Sequence, residues 1–273
     1  MENSILSVIV LYQKDVSECP IYNSLKQIVS NSNDVDLLIF NNSPETPVKN
    51  ISGCFIYNST ENVMLAKAYN YALDLARRLD KDWLLLFDQD TVINENTFFN
   101  ELLENINKHQ SDVIIPIIKG KNNFHISPKT YNPHLGFSAY TKKPSPGLHS
   151  NTCFLAINTG CAIKISALED INGFDERFPL DGLDARYFWQ LYKRGTTVLV
   201  MNCVIEQNLS VIDFDSLSKS RYKSALRSEL RVIKEEGLIP IIIWWARIPL
   251  RAIKRLFTSK GYKFVLPTLF FYL

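Results

Sequence analysis

The sequence predicts a doubly wound α/β fold: a mostly parallel sheet flanked by helices, with a helical C-terminal appendage. Two patterns predict it. Short, continuously apolar runs rich in Val, Ile and Leu recur along the chain, which suits strands buried on both faces of a parallel sheet. Between them lie stretches whose apolar residues fall at three- and four-residue steps, the period of an amphipathic helix. Composition agrees: 273 residues, 46% hydrophobic and 21% charged, can build one large packed domain and argue against global disorder.

The elements follow in order. Residues 7–12 read as the first buried strand, and a helix is expected over 19–30. A second strand at 36–40 ends in the turn-forming Asn41, Asn42, Ser43 and Pro44, and a short strand follows at 54–57. Residues 62–79 form a helix on the spacing of Leu65, Ala68, Tyr69, Ala72, Leu75 and Ala76. The strand at 83–87 stops at Asp88, a helix covers 97–109, and 112–118 is a further strand. Residues 119–150, with Pro, Gly, Asn, Lys and His and little periodicity, read as a long loop or irregular hairpin of the kind that covers ligand sites. Strand-like sequence resumes over 154–165, a helix is expected at 185–194, and a strand at 197–204. In such folds the site lies at the C-terminal ends of the strands.

The net charge of +2 gives no general reason to expect a nucleic-acid partner. Cys19, Cys54, Cys153, Cys161 and Cys203 form no CxxC pair and are odd in number, which argues against a disulfide framework or cysteine zinc site and fits a reducing cytosol. No basic leader with an apolar core precedes the first strand. His109, His125, His134 and His149 are scattered, without zinc spacing.

Asp88-Gln89-Asp90 follows directly on the apolar run that precedes it. Two carboxylates flanking one residue at a strand end reach the same space, where their oxygens can hold a hard divalent cation. Such a cation neutralises a pyrophosphate and the charge that grows on it as it leaves. A plain Asp-rich turn is the alternative, but the position after a buried strand favours the metal.

With these residues in place, the chain resembles a family 2 inverting glycosyltransferase of the GT-A fold, and within it the bacterial rhamnosyltransferase subgroup. The resemblance rests on the ordered set 8–12, 39–43, 62–70, 83–91, Asn158-Thr159-Gly160, Gly173-Phe174-Asp175-Glu176 and Asp181-Gly182-Leu183-Asp184, spanning roughly residues 5 to 210. It implies a catalytic domain over 1–215 and a C-terminal amphipathic segment over 216–273. It implies a dTDP- or UDP-sugar donor, a glycan or lipid-linked acceptor, and Mn²⁺ or Mg²⁺ as the metal. Leu11 and Tyr12 are then expected at the base and ribose. Asn41 stands where the family usually has an Asp for that contact, with Asn42 beside it. Lys67 is expected at the donor phosphates or base, or else as an exposed helix lysine. Asp88 joins donor and metal, and Asp90 and Gln207 complete the metal set, Gln207 standing near where the family has His. Asp184 is the expected base, with Asp181 as its competitor and a helix N-cap as its structural alternative. The family's Gly is Met64 here, and an acidic position after the base is Arg186.

The segment 238–257 sets Arg247, Arg251, Lys254 and Arg255 among Trp, Ile and Leu. It is too short an apolar run to span a bilayer, and Pro240 and Pro249 interrupt it. A helix lying in the interface of the inner face of the cell membrane is one reading; packing on the catalytic domain or a homodimer contact is the other. Two further functions stay open on sequence alone. One is a nucleotidyltransferase using the same Asp88 and Asp90, against which the glycine-free Gln13-Lys14-Asp15 counts. The other is an inactive partner protein, kept alive by Asn41, Arg186 and Gln207.

Overall fold

The computed structural model describes residues 4–31, 34–120, 123–207, 217–258 and 261–271. In chain order its strands are β1 Ile5–Leu11, β2 Val35–Asn41, β3 Cys54–Asn58, β4 Trp83–Asp88, β5 Val113–Lys119, β6 His125–Ser127, β7 Lys129–Tyr131, β8 Thr141–Lys142, β9 Gly147–His149, β10 Cys153–Leu155, β11 Cys161–Lys164 and β12 Val198–Glu206. The helices are α1 Pro20–Asn31, α2 Met64–Arg78, α3 Glu95–Lys108, α4 Ile165–Asp170, α5 Leu183–Lys193, α6 Lys219–Glu236, α7 Leu238–Leu256 and α8 Val265–Leu269.

Among the described residues, one sheet of nine strands runs β3-β2-β1-β4-β11-β5-β12-β9, with β6 paired to β5. β1, β2, β3 and β4 are parallel, as are β5 and β12, and β11 runs antiparallel between β4 and β5. All seven residues of β1 are buried, as expected of a strand covered on both faces. One face packs the stripe Ala66, Tyr69, Ala72 and Leu73 of α2 with Tyr187 and Phe188 of α5. The other packs Ile21 and Leu25 of α1 with Phe98 and Leu102 of α3. Each cluster contributes on the order of 1.5–3 kcal/mol per fully buried large apolar side chain before conformational entropy is counted.

Two expectations are corrected here. Residues 119–150 are not one irregular loop: β6 and β9 extend the main sheet, while β7 and β8 join β10 in a separate antiparallel sheet of three. β9 pairs with the distant β12, and β6 to β8 are only two or three residues long, so a polar, aperiodic sequence does not advertise them. The single strand expected over 154–165 is two: β10 leaves for the small sheet and β11 enters the large one. The turn between them carries Asn158, Thr159 and Gly160. Gly160 has φ +72°, and a Cβ there would lie 2.8 Å from both Ile205 Cδ1 and Pro116 Cγ. Its N–H donates to Leu86 O at 2.8 Å, which fixes this turn against β4.

α6, α7 and α8 share a core of Tyr222, Leu226, Leu230, Ile233, Trp244, Ile248, Phe264 and Phe271. Val232 of α6 belongs instead to the sheet's core, and Arg186 of α5 reaches Asp175 at 3.0 Å and Glu235 of α6 at 3.7 Å. The expected boundary at 215/216 lies outside the described residues.

Gly160→Ala combines a left-handed backbone with two collisions, so unfolding in urea should lose about 3 kcal/mol of stability. A loss below about 1 kcal/mol would mean the turn is not the fixed support described here.

Candidate active site

The cleft forms where β1, β4 and β12 end and where α2 and α6 begin. It encloses about 540 Å³, and Val10, Tyr12, Asn42, Asp88, Asp90, Gln207 and Arg221 are among its lining residues. The registers set this up. Val10 of β1 stands beside Asp88 of β4, so the last carboxylate of β4 faces the end of the first strand. Side chains alternate along a strand, so Leu11 turns the other way. It is 1% exposed and packs in the core under the sheet; only its carbonyl serves the strand end, accepting the Asn42 N–H at 2.8 Å. Tyr12 lines the cleft, its backbone clamped by the amide of Gln89: Tyr12 N–H donates to Oε1 at 2.9 Å and Nε2 donates to Tyr12 O at 3.2 Å. The middle residue of Asp88-Gln89-Asp90 thus fastens β1 to β4.

Asp88 is held from two further sides. Its N–H donates to Thr159 Oγ1 at 2.9 Å, and Thr159 in turn bonds the Thr91 hydroxyl at 2.8 Å. Gln207 Nε2 donates to Asp88 Oδ2 at 3.0 Å. Burial pushes the Asp88 carboxyl up, the Gln207 and Thr159 hydrogen bonds oppose this, and the neighbouring Asp90 adds to it. Asp90 itself is exposed at the cleft. Gln207 is 7% exposed, and its Oε1 is buried with no hydrogen-bond partner. Among the described residues no group of three or more His, Cys, Asp or Glu gathers around a metal-sized space. The oxygen set on offer is therefore two carboxylates and one amide oxygen. It fits a hard divalent cation: all donors are oxygen, two are anionic, and the unpartnered Gln207 oxygen lacks a positive group.

Asp184 is the second residue of α5, whose N-cap is Gly182 and not Asp184. Its carboxylate accepts the Ala185 N–H at 2.9 Å. Burial pushes it up to about 6, opposed by that hydrogen bond and reinforced by the negative charges of Asp88 and Asp181. Neither Asp184 nor Asp181 is among the residues that line the cleft, but Asp184 lies close enough to Asp88 for the two charges to interact. The hydroxyl of Tyr69 is buried without a hydrogen bond and lies within the fields of both carboxylates. Asp181 is instead engaged by Arg221 at 2.9 Å; burial raises its carboxyl and Arg221 opposes that.

The remaining residues divide clearly. Asn41 is 1% exposed and committed to its turn, its Nδ2 donating to Thr46 O at 2.8 Å and Asn58 Oδ1 at 2.9 Å, its Oδ1 accepting Ser43 N–H at 3.0 Å. Asn42 is the one at the cleft, bridging to α2 through Met64 O and the Val63 N–H, each at 3.0 Å. Lys67 is exposed on α2 and is not among the cleft-lining residues. Met64 adopts φ +64°, the left-handed region in which glycine is at ease, which accounts for the family's Gly there. Arg186 is structural: burial would raise Asp175, but the hydrogen bonds of Arg177 and Arg186 hold it at about 2. Arg221 had no sequence signal beyond being a basic residue. It enters the cleft from the first turn of α6, capped by Ser218, and only the tertiary fold reveals it.

Gln207→Ala removes the unpartnered oxygen and the Asp88 hydrogen bond together. Mn²⁺ affinity measured by titration should fall about tenfold; unchanged affinity would remove Gln207 from the metal set.

The model for glycosyl transferase family 2 matches residues 7–169, more than half of the chain. No curated protein sequence matches it. The TarS 1–349 structure from S. aureus is similar at 14% identity and TM-score 0.56, covering 97% of this chain and 79% of that one. TarS 1–349 in complex with UDP-GlcNAc aligns at 15% identity and TM-score 0.51 over 96% and 74% of the two chains. The mannosyltransferase PcManGT from Pyrobaculum calidifontis, in complex with GDP-Man and Mn²⁺, aligns at 12% identity and TM-score 0.57 over 95% and 73%. At such identities the likeness shows the fold, the GT-A arrangement of sheet and helices. Fold, cleft and family model lead to one conclusion: this chain is a glycosyltransferase and belongs to glycosyl transferase family 2.

Proposed function

We propose that the enzyme transfers a sugar, rhamnose or a similar one, from a dTDP- or UDP-sugar to a hydroxyl of a glycan or lipid-linked acceptor, with inversion, in bacterial polysaccharide synthesis. The observation that carries this reading is Asp184, close enough to the cleft carboxylate Asp88 for the two charges to interact and raised by burial to about 6. A carboxylate of that basicity, shielded from water, suits the removal of a hydroxyl proton near neutral pH.

The acceptor oxygen forms its bond to the anomeric carbon as the bond from that carbon to the diphosphate oxygen breaks, and Asp184 takes the hydroxyl proton. The base is Asp184 rather than Asp181, because Arg221 already occupies Asp181. Asp88, Asp90 and Gln207 Oε1 would hold a divalent ion, which would neutralise charge on the departing diphosphate. Asp88 and Asp90 make the cleft acidic, which repels a diphosphate. Arg221 provides a fixed positive group there, and its guanidinium geometry suits phosphate oxygens. Val10, Tyr12 and Asn42 border the end of β1, where the nucleoside is placed. Family membership speaks against attack at phosphorus. The departures that favoured an inactive partner protein have other uses: Asn41 builds a turn, Arg186 an ion-pair network, and Gln207 offers a ligand oxygen.

Screening nucleotide sugars for hydrolysis and transfer with and without Mn²⁺ tests this. Asp90→Ala and Asp184→Ala should each lose turnover by at least about a hundredfold; full transfer by Asp184→Ala would overturn the base assignment. The base must be deprotonated to work, so kcat/KM should fall as pH drops below about 6. A pH profile flat to pH 4.5 would contradict Asp184 as the titrating group. Arg221→Gln should raise donor KM about tenfold or more with a smaller change in kcat; an unaltered donor KM would exclude Arg221 from diphosphate binding.

A further inference from the structure

We infer that the outward face of α7 docks on an anionic phospholipid bilayer, with the basic pocket between α6 and α7 receiving a lipid phosphate. The helix buries Pro240, Trp244, Ile248 and Ala252 against α6 and α8. On the other side Leu238, Ile239, Ile242, Leu250, Ile253 and Leu256 are each more than half exposed. These positions fall on one arc of the helix, and no charged side chain interrupts it; Phe257, 85% exposed, continues it. A contiguous apolar face of this size calls for a partner.

Charge decides which partner. From residue 238 to the C-terminus the sequence holds no Asp or Glu, against Arg247, Arg251, Lys254, Arg255, Lys260 and Lys263. A second copy would set this basic element against itself. An anionic surface complements it. The pocket beside the face, about 450 Å³, is lined by Tyr222, Arg247, Leu250, Arg251, Lys254 and Arg255 with Glu229. Glu229 is already engaged by Arg251, at 2.6 and 2.8 Å, and by Trp244 Nε1 at 2.9 Å. Its charge is spent, and the pocket stays net positive. Leu250 belongs to pocket and apolar face alike, so headgroup and acyl chains have adjoining places.

The helix is about 28 Å long, yet no helix among the described residues is long and apolar enough to cross a membrane. A helix with one apolar and one basic side lies in the interface. The hairpin also links this surface to the cleft: Arg255 sits over the Tyr222 ring at 5.6 Å, and Tyr222 adjoins Arg221. Docking would therefore bring the cleft end of α6 toward the bilayer, where a lipid-linked acceptor resides; that last step rests on the function proposed above.

Flotation of the full chain with phosphatidylcholine vesicles, and with equimolar phosphatidylcholine and phosphatidylglycerol, tests the docking. Wild type should float only with the anionic vesicles. The combined Ile242→Gln, Ile253→Gln and Leu256→Gln change, and separately Lys254→Gln with Arg247→Gln, should each cut the bound fraction about tenfold. All five positions are exposed, and donor hydrolysis in solution should continue at the wild-type rate, which also confirms a folded enzyme. Wild type left at the bottom of the gradient, equal flotation with both vesicle types, or triple-variant binding equal to wild type would overturn the proposal. So would a wild-type dimer that the triple change dissociates, because it would give the face to a second copy. Failure of wild-type donor hydrolysis would instead strike the proposed function and leave the flotation result standing.

Discussion

The site depends on one costly arrangement: the Asp88 carboxylate half-withdrawn from water where β4 ends. A carboxylate is strongly hydrated, so taking it toward the interior disfavours its charged form. The surrounding fold is organised to hold it nevertheless. Thr159 fixes the backbone of Asp88, Gln207 donates to its side chain, and Gln89 ties the neighbouring strand end in place. Each supporting residue comes from a different part of the chain, so the site exists only when β1, β4, β11 and β12 are all assembled. This also explains the turn Asn158-Thr159-Gly160. Gly160 lets the turn press against Ile205 and Pro116, and that places the Thr159 hydroxyl under Asp88.

Asp88 and Asp184 are suited to different work by their surroundings. Asp88 accepts a side-chain amide and neighbours a second, exposed carboxylate, an arrangement that invites a cation. Asp184 lies at a helix N-terminus, where the N–H groups favour its anion, yet burial and nearby negative charge outweigh this and leave it basic. The positive group at the cleft, Arg221, pairs with Asp181 and is delivered by a helix outside the sheet. The first turn of α6 is thus part of the cleft.

Much of this was legible in the sequence, and for physical reasons. β1, β2, β4 and β5 are apolar on both faces, so their runs stand out without any alternation to decode. Asp88 and Asp90 were visible because a buried strand ended on them. Other features were hidden. The strands β6 to β9 are two or three residues long and carry polar residues, and β9 takes its hydrogen bonds from the remote β12. Leu11 and Val10 differ only in strand phase, which decides that one faces the core and the other the cleft. Asn41 and Asn42 are chemically identical, and only the turn geometry commits the first to its own backbone. Arg221 needed the placement of the first turn of α6 at the cleft, which no local pattern encodes.

The most direct test of the account is the anomalous signal of Mn²⁺ in crystals soaked with the metal and a nucleoside diphosphate. The account predicts a peak within about 2.1–2.3 Å of an Asp90 oxygen and of Gln207 Oε1, close to Asp88 and in contact with the diphosphate. A peak elsewhere, or a nucleotide bound outside the crevice at the ends of β1 and β4, would contradict it.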